Sequence, residues 1–235
     1  MDADFWLERW RRGETGFHLP TVNPHLVRHW PGLGLAPGAR VLVPLAGKSV
    51  DLAWLREQGC EVVAIELSPL AAEACFAALG VEPRRRRLGA FDEWAMPGLR
   101  FLIGDFFAAT REQVGPIDAF YDRAALVALP PAARAAYVVQ LLELARDTAR
   151  GLLVGFEYPQ GELAGPPFAV EEPEVRALFE PQCDVRVLEH LDILDAEPRF
   201  KARGVTRLHE RVYLIARRGP PPVLARGQHS GRAPG

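Results

Sequence analysis

At 235 residues, the chain is long enough for one sizeable α/β domain and too short for two without an evident linker. Hydrophobic residues make up 49% of the chain and charged residues 25%, a balance typical of soluble globular proteins. The net charge of −2 argues against a bulk attraction to nucleic acid or to an anionic membrane, so we expect small-molecule partners. We also expect a monomer.

The three cysteines, Cys60, Cys75 and Cys183, are widely spaced and form no C-x-x-C pair. Their spacing argues against a disulfide framework and against a zinc site. The N-terminus lacks a basic region followed by an apolar run, and no stretch approaches the roughly 18 apolar residues of a membrane helix. We therefore predict a cytoplasmic protein that neither crosses a membrane nor carries a metal.

The first 30 residues predict two short helices joined by a loop. Residues 4–12 place aromatic and aliphatic side chains at near-helical spacing, and residues 23–30 predict a second helix. Between them, two glycines and a proline flank Phe17 and His18, which indicates a loop. Trp10 and Phe17 fit core packing as well as ligand contact, since aromatic side chains bury large areas wherever they can. We expect residues 1–30 to form a helical lid.

The stretch from Arg40 to Glu66 predicts a strand, a loop, a helix and a second strand. Glu66 is an acid at the carboxyl end of an apolar strand, where open α/β sheets bind ligands. It follows Gly47 by nineteen residues, close to the roughly 20 that separate a glycine loop from an acid that binds ribose hydroxyls. The loop P-L-A-G-K lacks the three glycines that admit a pyrophosphate, so S-adenosylmethionine fits better than a dinucleotide. The alternative is a solvent-exposed glutamate that closes an ordinary strand.

Two further strands end in polar residues. The strand that begins at Leu99 ends in Gly104 and Asp105, and the next predicted strand ends in Asp122 and Arg123. The carboxyl ends of parallel strands meet at one edge of a sheet, so these residues and Glu66 indicate one common site. Asp105 is placed to meet an adenine ring or its amino group.

The remaining segments predict the edges of the domain. The arginine run at 84–87 indicates a solvated connection, because no aromatic residues interleave it as they do in nucleic-acid sites. Residues 132–146 predict a long helix, and Gly151 begins the next strand. The last two predicted strands have no long helix between them, which favours an antiparallel pair at the sheet edge. Residues 219–235 show no periodicity and predict a disordered tail.

With these motifs in view, the chain resembles the thiopurine S-methyltransferase family, in particular its bacterial branch. The resemblance covers about residues 4–216 and rests on F-W-x-x-R-W, T-G-F-H, L-V-P-L-A-G-K, V-x-x-I-E-L-S, G-D-F-F and Y-D-R-A-A-L-V-A-L-P. It implies an α/β fold of the class I S-adenosylmethionine-dependent methyltransferases, which is Rossmann-like. The expected sheet has seven strands, mostly parallel with an antiparallel last strand, in a single domain over residues 1–218.

The resemblance also implies roles for individual residues. Contacts with S-adenosylmethionine are implied for Trp10, Leu45, Glu66, Asp105, Phe106 and Arg123. Phe17 matches a position that lies against the substrate, and Arg199 falls near a basic position implicated in substrate contact. Arg123, at the junction of cofactor and substrate, is the expected catalytic residue. The chain departs from the family at Ala46, where cysteine is frequent.

The implied activity is methyl transfer from S-adenosylmethionine to the sulfur of aromatic or heterocyclic thiols such as thiopurines. Such thiols are partly ionised near neutral pH, so the chemistry requires neither a metal nor a dedicated base. The six histidines are expected to be scattered, and structural or exposed rather than catalytic. Two alternatives remain open: methylation of inorganic selenium or tellurium compounds, and a non-catalytic nucleoside-sensing domain. The joint presence of Trp10, Glu66, Asp105 and Arg123 argues against the second alternative.

Overall fold

The computed structural model describes residues 3–16 and 18–219, and these form one nine-stranded sheet with helices on both faces. The strands are β1 (Arg40–Pro44), β2 (Glu61–Glu66), β3 (Arg84–Leu88), β4 (Phe91–Met96), β5 (Leu99–Ile103), β6 (Ile117–Arg123), β7 (Ala145–Glu157), β8 (Cys183–Asp192) and β9 (His209–Arg217). Their order across the sheet is β3-β4-β5-β2-β1-β6-β7-β9-β8. The strands from β5 to β7 are parallel to one another, and the four outer strands pair antiparallel with their neighbours.

Helices precede, connect and flank these strands. They are α1 (Ala3–Arg11), α2 (Pro24–His29), α3 (Asp51–Glu57), α4 (Pro69–Leu79), α5 (Arg111–Val114), α6 (Pro131–Leu144), α7 (Glu172–Phe179) and α8 (Pro198–Lys201). Capping signals explain their bounds: the Asn23 side chain accepts from two backbone N–H groups at the start of α2, and Gly80 ends α4 in the left-handed conformation. None of the helices in the described ranges is long and apolar enough to cross a membrane.

Alternate residues of the central strands pack into two separate apolar clusters. Leu42 of β1 belongs to the cluster beneath α6 and α7, whereas Val41 and Val43 belong to the cluster beneath α2, α3 and α4. This alternation follows from the two-residue period of a strand. Both faces of the sheet are therefore covered, which gives the three-layer α/β architecture that the sequence predicted.

The sheet has nine strands rather than the predicted seven, because a hairpin of β3 and β4 extends the β5 edge. The arginine run predicted as a connection forms β3 itself. Arg86 pairs with Glu93 at 2.6 Å, and the Arg85 guanidinium lies 3.9 Å from the Trp94 ring centroid. Contacts across the hairpin thus balance the charges of an exposed edge strand, and charge on an edge discourages pairing with another chain.

The boundary between α6 and β7 also differs from the prediction. The strand begins at Ala145 rather than Gly151, and the helix ends at Leu144. The guanidinium groups of Arg111 and Arg217 donate hydrogen bonds to the carbonyl oxygen of Ala145, both at 3.1 Å, and Arg217 also donates to Leu142 O at 2.6 Å. Side chains from distant segments therefore end this helix without a glycine. The antiparallel pair predicted at the other sheet edge is confirmed as β8 and β9.

Candidate functional site

A cavity of about 460 Å³ lies at the carboxyl ends of the central parallel strands. Its floor consists of the segments that follow β1, β2, β5 and β6. Helices α1 and α8 and the residues around Pro166 complete the walls. The volume is within the range of roughly 300 to 1,000 Å³ that is typical of small-molecule sites, at the position where open α/β sheets bind ligands.

The structure brings most of the predicted site residues together in this cavity. The predicted residues that line it are Trp10, Leu45, Glu66, Asp105, Phe106, Arg123 and Arg199. Phe17, predicted to lie against the substrate, is outside the described residues. The predicted residues come from chain segments as distant as α1 and α8, so the fold assembles the cavity from both ends of the chain.

Glu66 is held at the end of β2 by backbone donors. Its Oε2 accepts from Gly47 N at 2.9 Å and its Oε1 from Ser68 N at 3.0 Å. Burial raises the pKa of Glu66, and these backbone N–H groups oppose that shift. The side chain is only 8% exposed, so the alternative of a solvent-exposed glutamate is wrong. Each carboxylate oxygen has a second lone pair with which it can accept from a ligand hydroxyl.

The loop after β1 is tightly turned. Leu45 has a φ of 48° and Gly47 a φ of 54°, both in the left-handed region that is costly for leucine. A Cβ at Gly47 would lie 2.2 Å from Nε2 of His18, so only glycine fits this position. The loop therefore brings backbone N–H groups close to Glu66 and to the N-terminal segment at once.

His18 joins the N-terminal segment to this loop. Its Nε2 accepts from Lys48 N at 2.9 Å, and its Nδ1 lies 3.1 Å from Thr15 O, to which it donates in this tautomer. Burial, together with the charges of Lys48 and Arg123, lowers the pKa of His18 to about 4, so the ring is neutral and its Nε2 can accept. Sequence reasoning missed this role. The available signal was its place in T-G-F-H, within a glycine-rich loop ahead of the β1 unit.

A buried carboxyl supports the turn that presents Arg123. Asp122 accepts from the Tyr137 hydroxyl at 2.7 Å and from Leu126 N at 3.1 Å. Burial raises the pKa of Asp122 to about 6, while these hydrogen bonds act in the opposite direction. Ala124 follows with a φ of 68°, a strained conformation for a non-glycine residue. The chain thus turns sharply at the end of β6, with Arg123 in the cavity wall.

Aromatic and arginine side chains form a further part of the cavity lining. This part includes Trp6, Phe107, Phe156, Phe200, Arg9 and Arg203. Arg199, predicted to contact substrate, donates to the Gly16 carbonyl and lies 3.4 Å from Glu197 Oε2. The N-terminal segment is therefore attached on two sides, by His18 to the β1 loop and by Arg199 to α8. Such walls suit a flat aromatic ligand beside a nucleoside.

Comparison with known sequences gives matches over nearly the whole chain. The family profile described as thiopurine S-methyltransferase (TPMT) matches residues 1–218. A thiopurine S-methyltransferase of Nitrosospira multiformis is 49% identical over 218 residues, which cover 93% of this chain and 99% of the relative. One of Pseudomonas fluorescens is also 49% identical, covering 93% of this chain and 100% of the relative.

Solved structures with low sequence identity share the fold. A methyltransferase of Thiobacillus denitrificans, in complex with S-adenosylhomocysteine, matches with a TM-score of 0.60 at 18% identity, covering 90% of this chain and 98% of that one. A 1,6-didemethyltoxoflavin-N1-methyltransferase of Burkholderia thailandensis matches with a TM-score of 0.59 at 21% identity, covering 92% and 86%. These likenesses concern the arrangement of the sheet and helices.

Proposed function

Because this chain belongs to the thiopurine S-methyltransferase family, we propose that it transfers a methyl group from S-adenosylmethionine to the sulfur of aromatic and heterocyclic thiols. One observation carries this proposal: a single cavity joins the buried carboxylate of Glu66 to a wall of aromatic and arginine side chains. A nucleoside cofactor and a flat acceptor therefore have adjacent sites within one enclosed space.

The residues around Glu66 fit the cofactor. The Glu66 carboxylate is fixed by Gly47 N and Ser68 N and accepts from both ribose hydroxyls. Asp105, at the end of the neighbouring strand, keeps an exposed carboxylate for the adenine side, and Phe106 provides an apolar wall. Leu45 and Trp10 complete the cofactor side in this proposal.

S-adenosylmethionine supplies an electrophilic methyl group on a positively charged sulfur. The protein's part is to hold the acceptor in line with that methyl group and to exclude water, since transfer to a thiolate merges opposite charges. Arg123 lines the same cavity. In this proposal it stands at the boundary of the two subsites, where its guanidinium orients the acceptor and favours its ionised form. The aromatic side chains Trp6 and Phe156 contact the flat face of the acceptor ring.

We further propose that the protein acts as a cytoplasmic monomer. Its three cysteines are buried and free, which suits a reducing compartment. Light scattering during size-exclusion chromatography tests the oligomeric state, with one chain per particle as the expected result.

A methyl-transfer assay tests the activity. Purified protein is incubated with S-adenosylmethionine and a panel of aromatic thiols, matched phenols, selenite and tellurite, and the products are identified by mass spectrometry. We expect S-methylated thiols as the main products and no methylation of the phenols, which are less acidic and less nucleophilic. Turnover of selenite or tellurite without turnover of any thiol would favour the metalloid alternative, and no turnover at all would contradict the proposal.

A further inference from the structure

A group of histidine and glutamate side chains lies outside the cavity, where α2 packs against β8 and β9. His25 and His29 come from α2, Glu189 from β8 and Glu210 from β9. Residues 25–29 have the sequence H-L-V-R-H, so two of the six histidines form an H-x-x-x-H pair. The prediction that the six histidines are scattered is therefore wrong. A spacing of four residues places both rings on the same face of the helix.

The ligand atoms of this group are close together and shielded from solvent. His25 Nδ1 lies 3.0 Å from Glu189 Oε2, and His29 Nε2 lies 2.7 Å from Glu189 Oε1. One ligand atom from each of the three residues lies within 4.8 Å of the other two. The side chain of His25 is 6% exposed and that of Glu189 is 11% exposed.

The protonation of His25 is constrained from its other nitrogen. Nε2 lies 2.8 Å from Glu210 Oε2, so it carries a proton that it donates to this carboxylate. The other ring nitrogen, Nδ1, faces Oε2 of Glu189 at 3.0 Å. Among the residues that the structure describes, neither atom has a hydrogen-bond partner. A positive charge between these two buried atoms satisfies both. It is supplied by a second proton on His25, which Glu210 and Glu189 favour by raising the pKa of His25, or by a metal ion that replaces this proton.

We propose that His25 Nδ1, His29 Nε2 and the Glu189 carboxylate bind one divalent transition-metal ion, with Zn²⁺ as the best match. Zinc accepts nitrogen and carboxylate ligands at about 2.0 to 2.2 Å, and a water molecule can complete a tetrahedral set. Histidine ligands of metals usually donate their other ring N–H to a carboxylate, and Glu210 occupies that position here.

The neighbouring cation does not prevent binding. Arg28 Nη1 lies 2.6 Å from Glu189 Oε1, but its side chain is 63% exposed and can turn into solvent. Metal binding would tie α2 directly to β8 through Glu189, and to β9 through the contact of His25 with Glu210. The N-cap of that helix, Asn23, donates its N–H to Asp51, which lines the cavity, at 2.8 Å. A bound ion therefore stabilises the segment that leads into the N-terminal wall, whatever reaction the cavity performs.

The test uses the full-length protein after treatment with a chelator. Zn²⁺ is titrated by calorimetry, and we expect one ion per chain. His29→Ala should weaken binding by more than about 100-fold, and Glu210→Gln by roughly 10- to 100-fold, as expected for an outer-shell partner. His209→Ala is the matched control. It removes a histidine from a second group, formed with His190 and Glu157, in which Arg211 already binds both Glu157 oxygens at 2.8 and 2.9 Å. That variant should bind Zn²⁺ as wild type does.

Two measurements on the wild type keep the test decisive if a variant fails to fold. Zn²⁺ should raise the melting temperature, and Co²⁺ should give visible d–d absorption that Zn²⁺ abolishes by competition. Absence of both, or equal zinc affinity in wild type and folded His29→Ala, would overturn the proposal. Loss of binding in His209→Ala alone would place the ion in the second group and would also overturn it.

Discussion

Replacement of Glu66 tests the proposed cofactor contact directly. Both of its oxygens are fixed by backbone N–H groups, and the side chain is 8% exposed in the cavity wall. Glu66→Ala removes the acceptor for the ribose hydroxyls, and Glu66→Gln keeps the shape but removes the charge. We expect both variants to bind S-adenosylhomocysteine more weakly, with the larger loss in Glu66→Ala.

The size of the loss follows from the chemistry of the contact. A hydrogen bond to a charged, desolvated group contributes about 1.5 to 3 kcal/mol, so the loss of this acceptor should cost about 2 to 3 kcal/mol of binding free energy. At about 1.4 kcal/mol for each tenfold change, the dissociation constant should rise about 30- to 140-fold.

Isothermal titration calorimetry with S-adenosylhomocysteine measures this change, and melting temperatures show whether the fold is kept. Glu61→Gln is a matched control, because Glu61 is an exposed glutamate at the opposite end of β2. Its affinity should equal that of the wild type. Equal affinities of folded Glu66→Ala and wild type would refute the assignment of Glu66 as the ribose acceptor.

Three further results are expected. Arg123→Ala should lower kcat/KM at least tenfold, a loss of about 1.4 kcal/mol of transition-state stabilisation. Arg123→Lys should recover only part of this loss, because an ammonium lacks the planar fork of donors. Unchanged kinetics would make Arg123 structural. The folded-state pKa of His18, about 4, is below the ordinary value of 6.5, so its bond from Lys48 N should be intact above pH 6.5 and lost towards pH 4. As the pH falls from 6.5 to 4, the protection factor of the Lys48 amide in hydrogen exchange should fall in the wild type, and it should be low at every pH in His18→Ala. A wild-type protection factor that does not change with pH would count against the hydrogen bond to His18. S-adenosylhomocysteine should protect residues 10–16 from exchange, less so in Arg199→Ala, which loses the donor to Gly16; no protection by the ligand would contradict a lid.

The unit from β1 to β2 was predictable because its signals are local. The apolar run before Pro44 and the acid after Ile65 fix the two strand ends within a few residues of sequence. Parallel strands then bring such ends to one edge, so Asp105 and Arg123 could be assigned to the same site as Glu66. These residues do line one cavity.

Features that depend on distant partners were not predictable. The end of α6 is set by Arg217, which lies 75 residues from the carbonyl of Leu142 to which it donates. The contact of His25 with Glu210 spans 185 residues, and no local pattern reveals it. The β3 strand was missed because a run of arginines is a poor strand signal until Glu93 and Trp94 face it.

A crystal structure of the protein with S-adenosylhomocysteine and an aromatic thiol would test the central claim most directly. We predict that both ribose hydroxyl oxygens lie about 2.5 to 3.0 Å from the Glu66 carboxylate. The thiol ring should lie against Trp6 and Phe156, with its sulfur directed at the cofactor sulfur and the Arg123 guanidinium beside it. A cofactor bound away from Glu66, or a thiol bound outside the cavity, would contradict the proposed methyl transfer.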